Sequence, residues 1–276
     1  MVDNSRPDDL PEFDNPPINE LVLGVQFAPQ PGYSQIHAGD VWRLFKDKYP
    51  LVQEYPALQP VFETFGQPTM QQSFNFELHA GGNHDRFWFM TQDGSELLQF
   101  QQDRFLHNWR EVPGLGNPYP RFEVVFEKFR RELLALADYF KGIAPPEARR
   151  AFTCNQAEIS YVNHIHLSKG ASASDVRQWL NIADFQESPA DDFAIVWRRV
   201  LKNESGKPYA RFFGDVKTGL TQSGESMIVV SRTVRGIPSV ASIGNVAEFL
   251  RQGREIIVRE FAKMTTESAH KEWGRR

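Results

Sequence analysis

RFWFMTQDGSELLQFQQDRFLHNWR, residues 86–110, holds three strand patterns and a turn in one line. Apolar and polar residues alternate with the period of two that sends successive side chains to opposite faces of a strand. Strands are therefore predicted over Arg86–Gln92, Glu96–Gln102 and Arg104–Arg110. Asp93-Gly94 joins the first two, because a two-residue hairpin turn needs positive φ and this dipeptide tolerates it. Upstream, Phe74, Phe76 and Leu78 alternate with Asn75, Glu77 and His79, and Gly81-Gly82-Asn83 supplies a turn toward the Arg86 strand. Together these segments make an antiparallel meander.

Helical periods flank it. Phe122, Val125, Phe126, Phe129, Leu133, Leu136 and Phe140 form one stripe of a helix predicted over Tyr119–Lys141, with Gly142 as its C-cap. Before the meander come an apolar strand, Glu20–Phe27, and a short helix ending at Lys48, with Asp40 as N-cap and Val41, Leu44 and Phe45 at helical spacing. Residues 51–72, punctuated by Pro56, Pro60 and Pro68, are expected to form a long surface connection.

Pro145-Pro146 and the charged residues 147–150 mark a boundary, beyond which the order repeats. A strand over Gln156–Leu167 precedes a short helix capped by Ser174, with Val176, Trp179 and Leu180 on one side. Strands over Phe193–Leu201, Tyr209–Lys217 and Met227–Val234 lead to a long closing helix. Asn245 is its expected N-cap, and Val246, Phe249, Leu250, Gly253, Ile257, Phe261 and Met264 make its stripe.

The chain is thus expected to be an α+β protein of two similar halves, 18–144 and 151–276, behind a disordered acidic lead over residues 1–17. Each half reads strand, helix, antiparallel meander, long helix. A twisted meander with one helix laid across it is a stable two-layer arrangement, since each covers the other's apolar face. The order resembles TATA-binding-protein-like and helix-grip domains. That likeness concerns architecture, for such folds host DNA binders, lipid carriers and enzymes alike.

Composition narrows the classes. Apolar residues make up 41% and charged residues 24% of the 276, as in a folded globular protein. Cys154 is the single cysteine, so neither an internal disulfide nor a cysteine zinc site is available, and a cytoplasmic location is the expectation. No apolar run approaches the roughly 18 residues of a membrane helix, and none resembles a signal peptide. Residues 1–150 hold 14 Lys+Arg against 21 Asp+Glu, a net of −7, whereas residues 151–276 hold 17 against 14, a net of +3. An acidic first half argues against nucleic acid as the main partner.

Candidate chemistry lies in three places. On the Glu158–His166 strand, alternation puts Glu158, Ser160, His164 and His166 on one face, where two imidazoles about 6.6–7 Å apart can converge on one metal or proton. A third ligand would have to come from Asp215, His79 or His107; two histidines on a solvated sheet face are the plainer alternative. Gln99, Gln101, Asp103, Arg104, His107, Asn108, Trp109 and Arg110 form a polar run able to hold a carboxylate, phosphate or peptide backbone, or simply to bond loop carbonyls. Arg198, Arg199, Lys202, Lys207, Arg211 and Lys217, with Trp197, Tyr209 and Phe213, form a basic aromatic patch that Asp192, Glu204 and Asp215 dilute. Gly-rich phosphate loops, dinucleotide fingerprints, nucleophile elbows and paired-histidine zinc helices are missing from the sequence, so no cofactor is expected.

Asn15-Pro16-Pro17-Ile18-Asn19-Glu20, Lys48-Tyr49-Pro50, Gln99 to Phe105 with Asn108-Trp109-Arg110, Tyr119-Pro120-Arg121-Phe122 and Tyr161-Val162-Asn163 recur in this order along nearly the whole chain. They resemble a sporadically distributed prokaryotic family with no assigned activity. The resemblance implies a shared fold and, through the patchy distribution, a mobile or defence-type gene module. The function expected is that of a non-enzymatic binding protein for a protein partner or small molecule. Its candidate surface is Gln99, Gln101, Arg104, Asn108, Trp109, Arg110, Tyr161, Asn163, His164 and His166. The alternatives are a metal-dependent hydrolase or lyase using His164 and His166, and a nucleic-acid binder using the second-half basic patch.

Overall fold

Asp93 and Gly94 lie in the turn as expected, but the loop is longer than a two-residue hairpin: it runs over residues 92–95 and is closed by Thr91 N donating to Glu96 O at 3.0 Å. Gly94 stands at φ +71°, a region that side chains disfavour, and the Asp93 carboxylate accepts from Thr91 Oγ1, Ser95 N and Ser95 Oγ at 2.7–3.0 Å. The computed structural model describes residues 6–66, 85–167, 173–181, 192–221 and 223–276. The strand expected around Phe74–Leu78, its turn at Gly81-Gly82-Asn83 and the side chain of Ser174 lie outside the described residues.

Among the described residues nine strands form one antiparallel sheet. They are β1 (Ile18–Phe27), β2 (Leu51–Tyr55), β3 (Arg86–Met90), β4 (Glu96–Gln101), β5 (Arg104–Arg110), β6 (Cys154–His166), β7 (Ala194–Lys202), β8 (Pro208–Leu220) and β9 (Ser226–Gly236). Their order is β2-β3-β4-β5-β1-β6-β9-β8-β7. The helices are α1 (Ala38–Phe45), α2 (Phe122–Ile143), α3 (Ile243–Met264) and α4 (Glu267–Glu272). No described helix is long and apolar enough to cross a membrane.

Strand alternation sorts the side chains into two faces. On the inner face Leu21, Leu23, Val25 and Phe27 of β1 share one buried cluster with Phe105 and Trp109 of β5, Ala157, Ile159 and Tyr161 of β6, and the stripes of α2 and α3. Each large apolar side chain buried this way contributes about 1.5–3 kcal/mol. A second cluster gathers Ile165, Val216, Ile228 and Val230 under Phe261 of α3, with Phe13 and Trp273.

Several expectations are corrected. The lead expected to be disordered is packed from Leu10 onward: Leu10 and Phe13 are buried, and Phe13 meets Phe261 and Trp273 edge-on. Apolar residues inside an acidic, proline-rich stretch outweigh its charge once a helix groove receives them. Leu51–Tyr55 is an edge strand rather than connection, paired with β3. Ser242, not Asn245, caps α3; its hydroxyl accepts from Asn245 N at 3.3 Å. Helix α2 runs past Gly142 and closes through Ala144 N to Phe140 O, and Asp40 lies within the first turn of α1 rather than before it.

Helix α3 can approach β6 closely because residue 253 is glycine. A Cβ there would stand 2.6 Å from Ile159 Cγ2. Gly253→Ala is expected to lose about 1–3 kcal/mol to overpacking, despite alanine's better helix propensity. Urea unfolding of the two proteins measures this; an unchanged or raised midpoint contradicts the tight α3–β6 contact.

Candidate functional site

The candidate residues divide between the faces. Pairing places Gln99, Gln101, Arg104, Asn108 and Arg110 with His164 and His166 on the outer face, and Trp109, Tyr161 and Asn163 on the inner one. Polar density in a linear run therefore does not become one surface.

The outer residues are largely engaged by the chain itself. Gln99 accepts from Trp88 Nε1 at 3.2 Å and donates to Asn108 Oδ1 at 3.1 Å, and Asn108 donates to Glu20 Oε1 at 2.7 Å. Arg110 Nε donates to Gly94 O at 2.7 Å, holding the turn. Residues 56–66 cross the outer face as a strap. Gln101 bonds both N and O of Leu58 at 2.8 and 2.9 Å, and Gln26 bonds both N and O of Val61 at 3.1 and 2.6 Å. Arg104 donates to Gln59 O at 3.1 Å. The peptide backbone that these groups grip is their own.

The basic patch also splits. Arg198, Arg211, Phe213 and Lys217 take the outer face, together with Arg235, which the sequence reading did not single out. Glu63 of the strap is buried between Arg211 and Arg235, with one oxygen 2.9 Å from each. A carboxylate held by two guanidinium groups takes the charge that the patch would offer a phosphate. Asp215 sits two strands from β6, His107 lies on the inner face, and His79 is outside the described residues. His164 and His166 thus meet no third ligand among the described residues. Burial, then the neighbouring His166, lowers the His164 pKa.

On the inner face the fold assembles a network whose members are scattered in sequence. Lys48 Nζ stands 2.7 Å from Glu96 Oε2 and donates to Tyr49 Oη at 2.8 Å. Tyr49 donates to Glu132 Oε1 at 2.6 Å, and His107 Nδ1 lies 2.6 Å from Glu132 Oε2. Lys128 pairs with the other oxygen of Glu96. Burial alone would raise both glutamates. The hydrogen bonds and charges of Lys128 and Lys48 at Glu96, and of His107 with Tyr49 at Glu132, outweigh it and hold both below the usual carboxylate range. Glu132 inside the α2 stripe was the one sequence signal, a carboxylate at an apolar heptad position.

A space with mixed chemistry lies toward the end of β6. It is a cavity of about 60 Å3 between the N-terminal segment, the start of α2 and the outer turns of α3. Phe13, Ile18, Phe122, Ile257, Val258 and Phe261 give apolar walls; Arg6, Arg121, Arg254, Tyr119, Tyr161 and Asn163 bring polar groups to it, with the Glu12 carboxylate 3.9 Å from both Arg6 and Arg121. Tyr119 and Tyr161 hydroxyls are 3.3 Å apart, and burial raises both phenols, so they remain protonated donors at neutral pH. Asn163 Nδ2 donates to Val230 O at 3.2 Å. Arg121, the one non-glycine residue of positive φ among those described, donates to the carbonyls of Phe13 and Asp14 and so ties down the segment that covers the cavity. Of the sequence candidates, only Tyr161 and Asn163 reach this site.

No protein-family model matches this chain, and no curated protein matches it in sequence.

The depressed glutamates set an acid limit. A carboxylate whose folded pKa lies below its unfolded value adds stability above that unfolded value, about 4.3, and loses it as pH falls through the folded one. Glu132→Gln is expected to be less stable than the natural protein at pH 7 and to lose less stability below about pH 4. Urea midpoints measured across pH 3–7 test this; parallel profiles for the two proteins refute the sign.

Proposed function

We propose that this protein binds a small ligand, without catalysis, in the cavity at the inner end of β6. The observation that carries the reading is the cavity itself, with phenol, amide and guanidinium groups among apolar walls. Ligand sites commonly combine those features. Its volume is several times the roughly 10–15 Å3 that one water needs by the same kind of measure. The strained φ of Arg121 at the rim supports the reading, because such strain gathers at ligand clamps. The fitting ligand is a compact molecule, mostly apolar, with one polar end for the Tyr161 and Asn163 wall.

The finer architectural reading belongs with this proposal. Outward from the centre, β1-β5-β4-β3-β2 mirrors β6-β9-β8-β7 in running first strand, last strand, then back through the meander. Each flank carries one helix of 22 residues. We read the flanks as related halves of TATA-binding-protein-like or helix-grip-like form, an architecture in which long helices and a sheet can enclose a ligand.

Val258→Trp fills the cavity from α3. In ligand-observed NMR with benzyl alcohol, phenol and benzoate as probes, at least one should bind the natural protein, and its affinity should fall at least about tenfold in the variant, the loss of roughly 1.4 kcal/mol. Equal binding by both proteins, or by neither, overturns the cavity as the site.

A further inference from the structure

Arg232 is the largest side chain buried to near completion among the described residues, 1% exposed, on the inner face of β9. It pairs across the strands with Tyr161, a wall of the cavity. Its guanidinium lies 5.1 Å from the centre of the Phe261 ring, and Phe261 is another wall. Guanidinium groups carry five N–H donors and no acceptor. Here one nitrogen reaches the Met264 sulfur at 3.4 Å, and Nε and the second terminal nitrogen have no hydrogen-bond partner among the described residues. Glu260 is the acidic group that acts on it, but Glu260 is committed to Arg199 at 3.3 Å and to Lys263 at 3.7 Å.

Other buried arginines differ. Arg211 is matched by Glu63, Arg254 by Glu123, and Arg104 donates to Gln26 and to Gln59 O, whereas Arg232 has neither an ion pair nor an oxygen acceptor among the described residues. Leaving such a charge buried is strongly unfavourable, and an apolar residue of similar volume would be the more stable choice. Burial pushes the Arg232 pKa down to about 9, which still leaves it charged at neutral pH. What would satisfy it is an acceptor carrying negative charge, and the Phe261 ring is the side chain shared between the guanidinium and the cavity.

We infer that Arg232 is the anchoring charge of the cavity, and that the ligand is a small organic anion of the carboxylate class whose charged end reaches the guanidinium as Phe261 turns aside. This rests on the cavity being the ligand site and specifies its chemistry. Planar carboxylates suit a guanidinium through paired hydrogen bonds, and the aromatic and thioether groups around Arg232 suit the apolar body of such a molecule.

Benzoate and benzyl alcohol, alike in shape and different in charge, test it by NMR titration at constant ionic strength. The natural protein should bind benzoate at least about tenfold more tightly than the alcohol. Arg232→Met should erase that preference while still binding the alcohol, and should melt at a higher temperature than the ligand-free natural protein. Arg232→Lys, which keeps a charge but not the planar fork, should keep part of the preference. No preference for benzoate in the natural protein overturns the inference, whatever the variants do, as does an undiminished preference in Arg232→Met. If the alcohol binds and Val258→Trp blocks it while benzoate has no advantage, the cavity stands and the role of Arg232 falls.

Discussion

Pairing of β1 with β6 is the constraint on which the remaining structure rests. Leu21 opposite Tyr161, Leu23 opposite Ile159 and Val25 opposite Ala157 join residues 18–144 to the later part of the chain in one sheet. A slip of one residue would turn Leu21, Leu23 and Val25 outward and put Val22, Gly24 and Gln26 beneath the helices. The register is held by the burial of those side chains under α2 and α3, and it sets the two helices side by side over the centre. The cavity forms where that cover ends and the N-terminal segment completes it.

Polar groups in this molecule follow two patterns. On the outer face, Gln26, Gln101 and Arg104 extend the hydrogen bonding of the sheet to a strap without strand geometry, so backbone groups of Leu58, Gln59 and Val61 are satisfied. Within the inner face, Lys48, Lys128, Glu96 and Glu132 are ions of balanced sign, which lets His107 and Tyr49 be buried among them. Arg232 obeys neither pattern. Arg211 and Arg254 are met by carboxylates and Arg104 by amide and carbonyl oxygens, whereas Arg232 reaches a sulfur and a ring face; an under-satisfied buried charge beside a cavity is a common mark of a site.

Individual residues show what a linear reading can reach. Alternation through Phe87–Phe89, Leu98–Phe100 and Phe105–Trp109 was enough to find β3, β4 and β5, since period two is a local property. The same logic placed His164 and His166 on one face. It failed for Trp109, grouped with Asn108 and Arg110 although a strand sends neighbours to opposite sides. It also failed for Gln101 and Arg104, whose chemistry suits a peptide backbone but whose partner proved to be residues 58 and 59, more than 40 positions away. Leu10 and Phe13 were hidden by the acidic residues around them, and Arg232 looked like any arginine in a strand.

By itself the sequence determined the α+β class, the position of the meander and both long helices, and the apolar stripe of each, because these depend on spacing of 2 or 3.6 residues within one segment. Only the tertiary structure decided that a single sheet runs through the molecule, that Glu63 sits between Arg211 and Arg235, and that Tyr161 and Phe261 wall one cavity while Arg232 packs against the Phe261 ring. Those outcomes depend on which strands pair and what covers each face. Long-range pairing is selected by the summed burial of the whole chain, and no local window carries that sum.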